Sequence, residues 1–161
     1  MSIISDEYQT PKKYIKAAIE VMGSIDLDPA CSDLNYTRLS KLITGHYSQG
    51  GLVKEWFGNV WLNEPYSKPN LSIWTTKLIG EYNSNRVNQM INLVPSYTSE
   101  KWYHKLLKCC DGICLPDHRI NHLINGKFQN APRFSSTFFY LGYSRTKFID
   151  VFSQFGKCFR N

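Results

Sequence analysis

Val60-Trp61-Leu62-Asn63-Glu64-Pro65-Tyr66-Ser67 is an apolar run that stops at a carboxamide, a carboxylate, a proline and an aromatic ring. Behind Gly58-Asn59 the three apolar residues read as a short buried strand, and the proline beyond them closes it. Downstream, Pro69 to Tyr82 carries Leu71, Trp74, Leu78 and Ile79 at helical spacing, and Met90-Ile91-Asn92-Leu93-Val94 is a second strand stopped by Pro95. The passage then repeats. Ser99 to Cys109 is amphipathic, with Trp102, Leu106 and Cys109 inward, and Gly112-Ile113-Cys114-Leu115 runs into Pro116. Upstream, Thr10 as cap and Pro11 in the first turn open a helix on which Tyr14, Ala17, Ala18, Val21 and Met22 recur before Gly23. Ile25-Asp26-Leu27-Asp28 then alternates into Pro29 as a short strand. Such alternation predicts an α/β fold, a largely parallel sheet with helices on both faces.

Two later segments break the rhythm. Arg119 to Ile124 and Ser136 to Gly142 have no helix between them and predict an antiparallel C-terminal hairpin at one edge, before a closing helix over Thr146 to Phe155. Ala30 to Ile43 is ambiguous, and Gly45 to Gly51 reads as loop. A chain of 161 residues is expected to form a single domain, residues 1–161. With 42% hydrophobic and 14% aromatic residues it has the material for a packed core, which excludes a disordered chain. No apolar stretch approaches the roughly 20 residues that span a bilayer. The start, Met1 to Glu7, lacks a basic region and a long apolar core, so no signal peptide is expected and the cytoplasm is the expected compartment.

Five cysteines, Cys31, Cys109, Cys110, Cys114 and Cys158, suit reduced thiols. Cys109-Cys110-x3-Cys114 near His118 and His122 lacks a second well-spaced ligand pair, so no metal is expected. A net charge of +6 favours a polyanionic partner such as nucleic acid. The basic residues concentrate in the last third, as a surface set and not a tail. Arg119, Lys127 and Arg133 are therefore candidates for neutralising phosphates.

In open parallel sheets ligands collect beyond the carboxyl ends of the strands, where Asp28-Pro29 and Asn63 to Tyr66 both stand. A carboxamide beside an aromatic ring suits a flat base with an exocyclic amino group. The amino nitrogen is a poor nucleophile because its lone pair is delocalised into the ring. Two acceptors, the Asn63 side-chain oxygen and the carbonyl of Glu64, would draw both N–H protons out of plane, while Tyr66 would stack on a base flipped out of a duplex. No general base is required, since the proton can leave after transfer. Asp28, at the end of the first strand, could bind amino or ribose groups of a methyl donor, and Gly-x-Gly-x-x-Gly is absent. In isolation each element also reads as an ordinary turn or helix cap.

Their order is more specific. Asp6-Glu7-Tyr8-x-Thr10-Pro11, Ile25-Asp26-Leu27-Asp28-Pro29-Ala30, Asn35, Trp56-x3-Val60-Trp61-x-Asn63-x-Pro65-Tyr66-Ser67, Leu93-Val94-Pro95-x2-Thr98-x3-Trp102, Arg119-Ile120 and Pro132-x2-Ser135-Ser136 together resemble the bacteriophage-type DNA N-6-adenine methyltransferases, the phage Dam-like family. The resemblance implies a Rossmann-like S-adenosylmethionine-dependent fold and methyl transfer to adenine in double-stranded DNA. It implies a catalytic Asn63-Glu64-Pro65-Tyr66, and donor contacts from Tyr8, Thr10, Pro11, Asp28, Pro29, Ala30 and Asn63. Ser67, Thr98, Trp102 and Ser135 join Arg119, Lys127 and Arg133 as expected DNA contacts. It also implies a bacterial host cell as the setting. Two positions depart from the family's pattern: Glu64 stands where proline is usual, and Gly50 where an acidic residue is common. The first implies weaker catalysis and the second weaker donor binding. A nucleic-acid-binding protein without turnover, or an enzyme acting on RNA or another amino or amide group, are the alternatives. The recognition sequence and oligomeric state are not legible.

Overall fold

The computed structural model of the chain describes residues 4–161, so the part of the leader reading that falls on residues 1–3 lies outside the described residues. The helices are α1 (Lys12–Met22), α2 (Asp33–Leu39), α3 (Asn70–Asn83), α4 (Lys101–Cys109) and α5 (Arg145–Phe152). The strands are β1 (Gly58–Leu62), β2 (Val87–Pro95), β3 (Gly112–Pro116), β4 (Leu123–Ile124), β5 (Lys127–Phe128), β6 (Ser136–Leu141) and β7 (Gly156–Arg160). Five strands form one sheet in the order β1-β2-β6-β3-β7, and β4-β5 form a separate ribbon.

The expectation of a largely parallel sheet is corrected by the pairing. Among the strands named above only β1 and β2 pair in parallel, whereas β2–β6, β3–β6 and β3–β7 are antiparallel, giving a mixed α/β molecule with a mostly antiparallel sheet. The cause lies in β6. Phe138, Phe139, Tyr140 and Leu141 are all fully buried, so successive side chains face apolar layers on both sides, as a central strand requires. β6 therefore enters between β2 and β3 instead of lying at an edge. Because it runs against both, β3 runs in the same direction as β2 and β1.

The expected C-terminal hairpin is corrected as well. Leu123–Ile124 turns onto Lys127–Phe128 through Asn125-Gly126, both at positive φ (51° and 75°), the backbone a two-residue hairpin loop demands. Ile25 to Asp28 does not become a full strand. It follows β1 through a Leu27–Val60 bridge and the bonds Asp26 N–H to Asn59 O and Trp61 N–H to Leu27 O. The ambiguous segment holds α2, capped by Ser32, whose side chain accepts from the Asn35 N–H.

The sheet separates two apolar layers. Trp61, Ile91, Leu93, Phe138 and Tyr140 point toward α1 and α5, and Val60, Leu62, Met90, Val94, Phe139 and Leu141 toward α3 and α4. That is the period-2 side-chain pattern of strands covered on both faces. Among the described residues no helix is long and apolar enough to cross a membrane.

Candidate active site

Asn63 follows the last residue of β1, where the chain leaves the sheet. Its carboxamide is held from three directions. The NH2 group donates to the Tyr8 carbonyl (3.0 Å) and the Thr10 hydroxyl (3.2 Å), and the oxygen accepts from the Tyr66 hydroxyl (2.6 Å). Donation through the amide nitrogen polarises the group and strengthens its oxygen as an acceptor. A carboxamide oxygen has two lone pairs, so one remains for a second donor. Thr10 was expected to cap α1, but Pro11 occupies the N-cap and no side chain caps there. The Thr10 hydroxyl reaches Asn63 instead, while its carbonyl accepts from Arg38 of α2 (2.5 Å).

Asn63 lines a cavity of about 310 Å³ together with Asp6, Tyr8, Ala30, Ser32 and Asn35. A second cavity of about 230 Å³ shares Asp6, Ala30 and Ser32 and is walled by Pro29, Gly50, Gly51, Pro65 and Trp74. Asp6 stands between the two, its carboxylate accepting from the Ser67 N–H (2.8 Å) and hydroxyl (2.6 Å). The Gly51 backbone lies against the Pro29 carbonyl, so close that a Cβ there would come within 2.0 Å of that oxygen. Trp56 keeps the loop in place. Its indole donates to the Gly51 carbonyl (2.8 Å) and its N–H to Glu81 of α3 (2.9 Å).

Of the expected donor contacts, Tyr8, Ala30 and Asn63 line the first cavity and Pro29 and Ala30 the second. Asp28 and Thr10 line neither, and Pro11 faces a different hollow. Asp28 is buried, and its Oδ1 accepts from the Ala30 N–H (3.1 Å), so it shapes the Pro29–Ala30 turn. Burial pushes its carboxyl up to about 7 against the Ala30 and Cys31 hydrogen bonds.

Tyr66 was expected to offer a stacking face. Instead it is 4% exposed. Tyr8 (5.9 Å), His122 (6.1 Å) and Phe134 (6.1 Å) meet its ring edge to face, and Tyr8 lies flat on His122 at 4.9 Å and 9°. Both His122 ring nitrogens are buried with no partner at hydrogen-bonding geometry. Burial drives the ring's pKa down to about 4, only partly opposed by the Gln9 backbone, so it is neutral. In this conformation the chain's own rings fill the space over Tyr66.

Glu64 turns inward, which the sequence reading missed. It is 2% exposed, and Oε2 accepts from the Asn92 amide of β2 (2.6 Å), which also donates to the Leu62 carbonyl (3.3 Å). Burial pushes the carboxyl up to about 8, opposed by its own backbone N–H and Asn92 and reinforced by Asp28. The signal for Asn92 is its position as the polar residue inside the apolar run Met90 to Val94.

Among the expected DNA contacts, Arg119, Lys127, Arg133, Thr98 and Ser135 are exposed. Trp102 is buried against Tyr97 and Tyr103 and is a core residue. Ser67 is taken up with Asp6. Lys12 and Lys13, not singled out in the sequence, line a hollow of about 380 Å³ with Arg119, His118 and the exposed Phe128. Among the described residues no group of three or more His, Cys, Asp or Glu could hold a metal ion.

Comparison with known proteins adds a family. The family model described as DNA N-6-adenine-methyltransferase (Dam) matches residues 2–140. A DNA N-6-adenine-methyltransferase of Escherichia phage T1 is 35% identical over 104 residues, which make up 62% of this chain and 40% of that protein. The chain thus matches less than half the length of that relative. A match of the family model that runs from the N-terminal segment through β1 and the Asn63 turn to β6 means that the chain belongs to the DNA N-6-adenine-methyltransferase (Dam) family.

Proposed function

We propose that the chain transfers the methyl group of S-adenosylmethionine to the exocyclic amino nitrogen of adenine in double-stranded DNA. The observation that carries this reading is the Asn63 carboxamide at the end of β1, oriented by Tyr8, Thr10 and Tyr66 and lining the cavity beside the Ala30 turn. The direction shared by β1, β2 and β3 supports a methyltransferase-like sheet in which β6, inserted between β2 and β3, and β7, at the edge, run the other way.

The lining of that cavity fits the donor. Asp6, Asn35, Ser32 and Asn63 supply polar groups of the kind that amino and hydroxyl groups pair with, and a carboxylate suits a sulfonium cation. When bound, the donor supplies an electrophilic methyl. The remaining chemistry belongs to the chain. The free lone pair of the Asn63 oxygen and the carbonyl of residue 64 accept the two N–H protons and hold the amino group aimed at the cavity. Pro65 and Tyr66 shape the turn. The Tyr8, His122 and Phe134 rings part before a base enters and exclude water once it is seated. Arg119, Lys127, Arg133, Lys12 and Lys13 meet phosphates, and Thr98 and Ser135 are placed to donate from exposed loops. The expected setting is the cytoplasm of a bacterial cell.

The test incubates the protein with labelled S-adenosylmethionine and mixed-sequence DNA, RNA or protein, alongside calorimetric donor binding. Label enters adenine in DNA, and Asn63→Ala lowers kcat by about 10²–10³-fold, as removal of a preorganised hydrogen-bonding group does elsewhere. Transfer that survives Asn63→Ala rules the mechanism out. The burial of Tyr66 favours a second reading, a family member that binds nucleic acid without turnover. Donor and DNA binding with no label in any substrate would establish it.

A further inference from the structure

Asn92 and Glu64 are each anomalous alone. Asn92 is fully buried at the centre of β2, on the face that carries Met90 and Val94. An unpaired carboxamide there would forfeit the hydrogen bonds that water gave it. Glu64 is a buried carboxyl in a turn where the family usually has proline. The two explain each other through the 2.6 Å bond between Asn92 Nδ2 and Glu64 Oε2. Since Nδ2 also donates to the Leu62 carbonyl, one side chain of β2 grips the chain on both sides of Asn63.

The carboxyl does not face the reaction. Glu64 is 2% exposed and its Oε2 is bonded to Asn92 of β2, on the core side of the turn. Acid–base work and repulsion of a phosphate are therefore poor accounts of it. We propose that Glu64 is a positioning residue: its side chain, tied to Asn92, holds the carbonyl of residue 64 in place, the restraint that proline gives this turn elsewhere in the family. This rests on the methyl-transfer reading above. Glu64 Oε1 and Asn92 Oδ1 are buried acceptors with no partner at hydrogen-bonding geometry, the Glu64 backbone N–H lying near the carboxyl, so the pocket is short of well-placed donors. A proton on the carboxyl supplies one, and Oε2 can still accept from Asn92. Ionisation places an unshared charge in the pocket and loosens the turn.

The test uses the full chain and the variants Glu64→Ala, Glu64→Gln, Asn92→Leu and the double variant Glu64→Pro/Asn92→Leu. Single-turnover transfer and donor affinity are measured from pH 6 to 9. Misplacement of one acceptor lowers the rate of Glu64→Ala and of Asn92→Leu by about 10–10²-fold, with donor affinity held within about two-fold. Glu64→Gln, which keeps an acceptor for Asn92, loses far less and lacks the part of the alkaline fall in rate near pH 8, keeping only the part that Asp28 sets near 7. The double variant recovers rate over Asn92→Leu. Glutamine no better than alanine, or donor affinity falling in step with rate, overturns the proposal. Independently of activity, the Asn92 side-chain amide resonance shifts with pH in the parent and not in Glu64→Gln; a pH-independent resonance in the parent also overturns it. If the parent labels no DNA, the methyl-transfer reading fails, and this resonance still decides whether the tether exists.

Discussion

At the scale of single residues, hydrogen bonds decide what each side chain can contribute. Asn63 is oriented by three partners, two of which, Tyr8 and Thr10, lie more than fifty positions away in the sequence. Tyr66→Phe deletes the hydroxyl that donates to the Asn63 oxygen but leaves the buried ring. We expect a several-fold fall in kcat with the melting temperature nearly unchanged, checked by steady-state kinetics and thermal unfolding. The buried carboxyls set a pH dependence of stability. Glu64 and Asp28 are raised to about 8 and about 7 from ordinary values of 4.5 and 3.8. The folded state therefore binds more protons than the unfolded one in between. The stability they contribute is complete below the unfolded values and is lost as pH rises through about 7 and 8. Urea midpoints should fall from about pH 4 to 8, and Glu64→Gln should flatten the fall above about 7, where Asp28 no longer contributes. His122 has the opposite sign. Its stability is present above pH 6.5 and is lost as pH falls through about 4.

At the scale of elements, α3 supports a wall of the second cavity that belongs to another part of the chain. Burial alone would raise the Glu81 carboxyl, but Lys77 (2.5 Å), the Trp56 N–H and Arg86 (2.9 Å) outweigh it and lower its pKa. Trp56 passes that anchoring on to Gly51 and so to Pro29. Glu81→Gln weakens charge-assisted bonds at a buried site and should cost about 2 kcal/mol in urea unfolding. Gly51→Ala leaves Glu81 alone but drives the loop off the Pro29 carbonyl. Donor affinity by calorimetry should fall while DNA affinity does not. Sequence reading reached most of these elements because their signals are local, such as the apolar spacing of α3 or Gly23 closing α1. It missed the β4–β5 ribbon although Asn125-Gly126 states it, because strands of two residues carry almost no apolar pattern beside the longer run Ser136 to Gly142. It missed β7, whose Lys157, Phe159 and Arg160 are exposed at an edge and carry little apolar pattern.

At the scale of the whole molecule, strand order was out of reach because it depends on contacts between distant segments. Ser136 to Gly142 reads as a strand, but nothing local says that it separates β2 from β3. The candidate site divides in the same way. Asn63, Tyr8 and Ala30 could be named from motifs, whereas the Glu64–Asn92 bond and the rings over Tyr66 exist only after the chain has folded. The positive charge has a measurable consequence. Lys12, Lys13 and Arg119 line one hollow, and each phosphate that an alanine substitution leaves unneutralised should reduce the slope of log binding constant against log salt by about 0.9. A slope that is unchanged in the triple variant places the DNA elsewhere. The stack of Tyr8 on His122 bears on the kinetics of capture. If those rings part only transiently, just a fraction of molecules is receptive at any moment, and apparent affinity is the intrinsic affinity scaled by that fraction. The observed rate of base entry then levels off with rising DNA concentration at the rate at which the rings separate, and His122→Gly lifts that plateau in stopped-flow fluorescence.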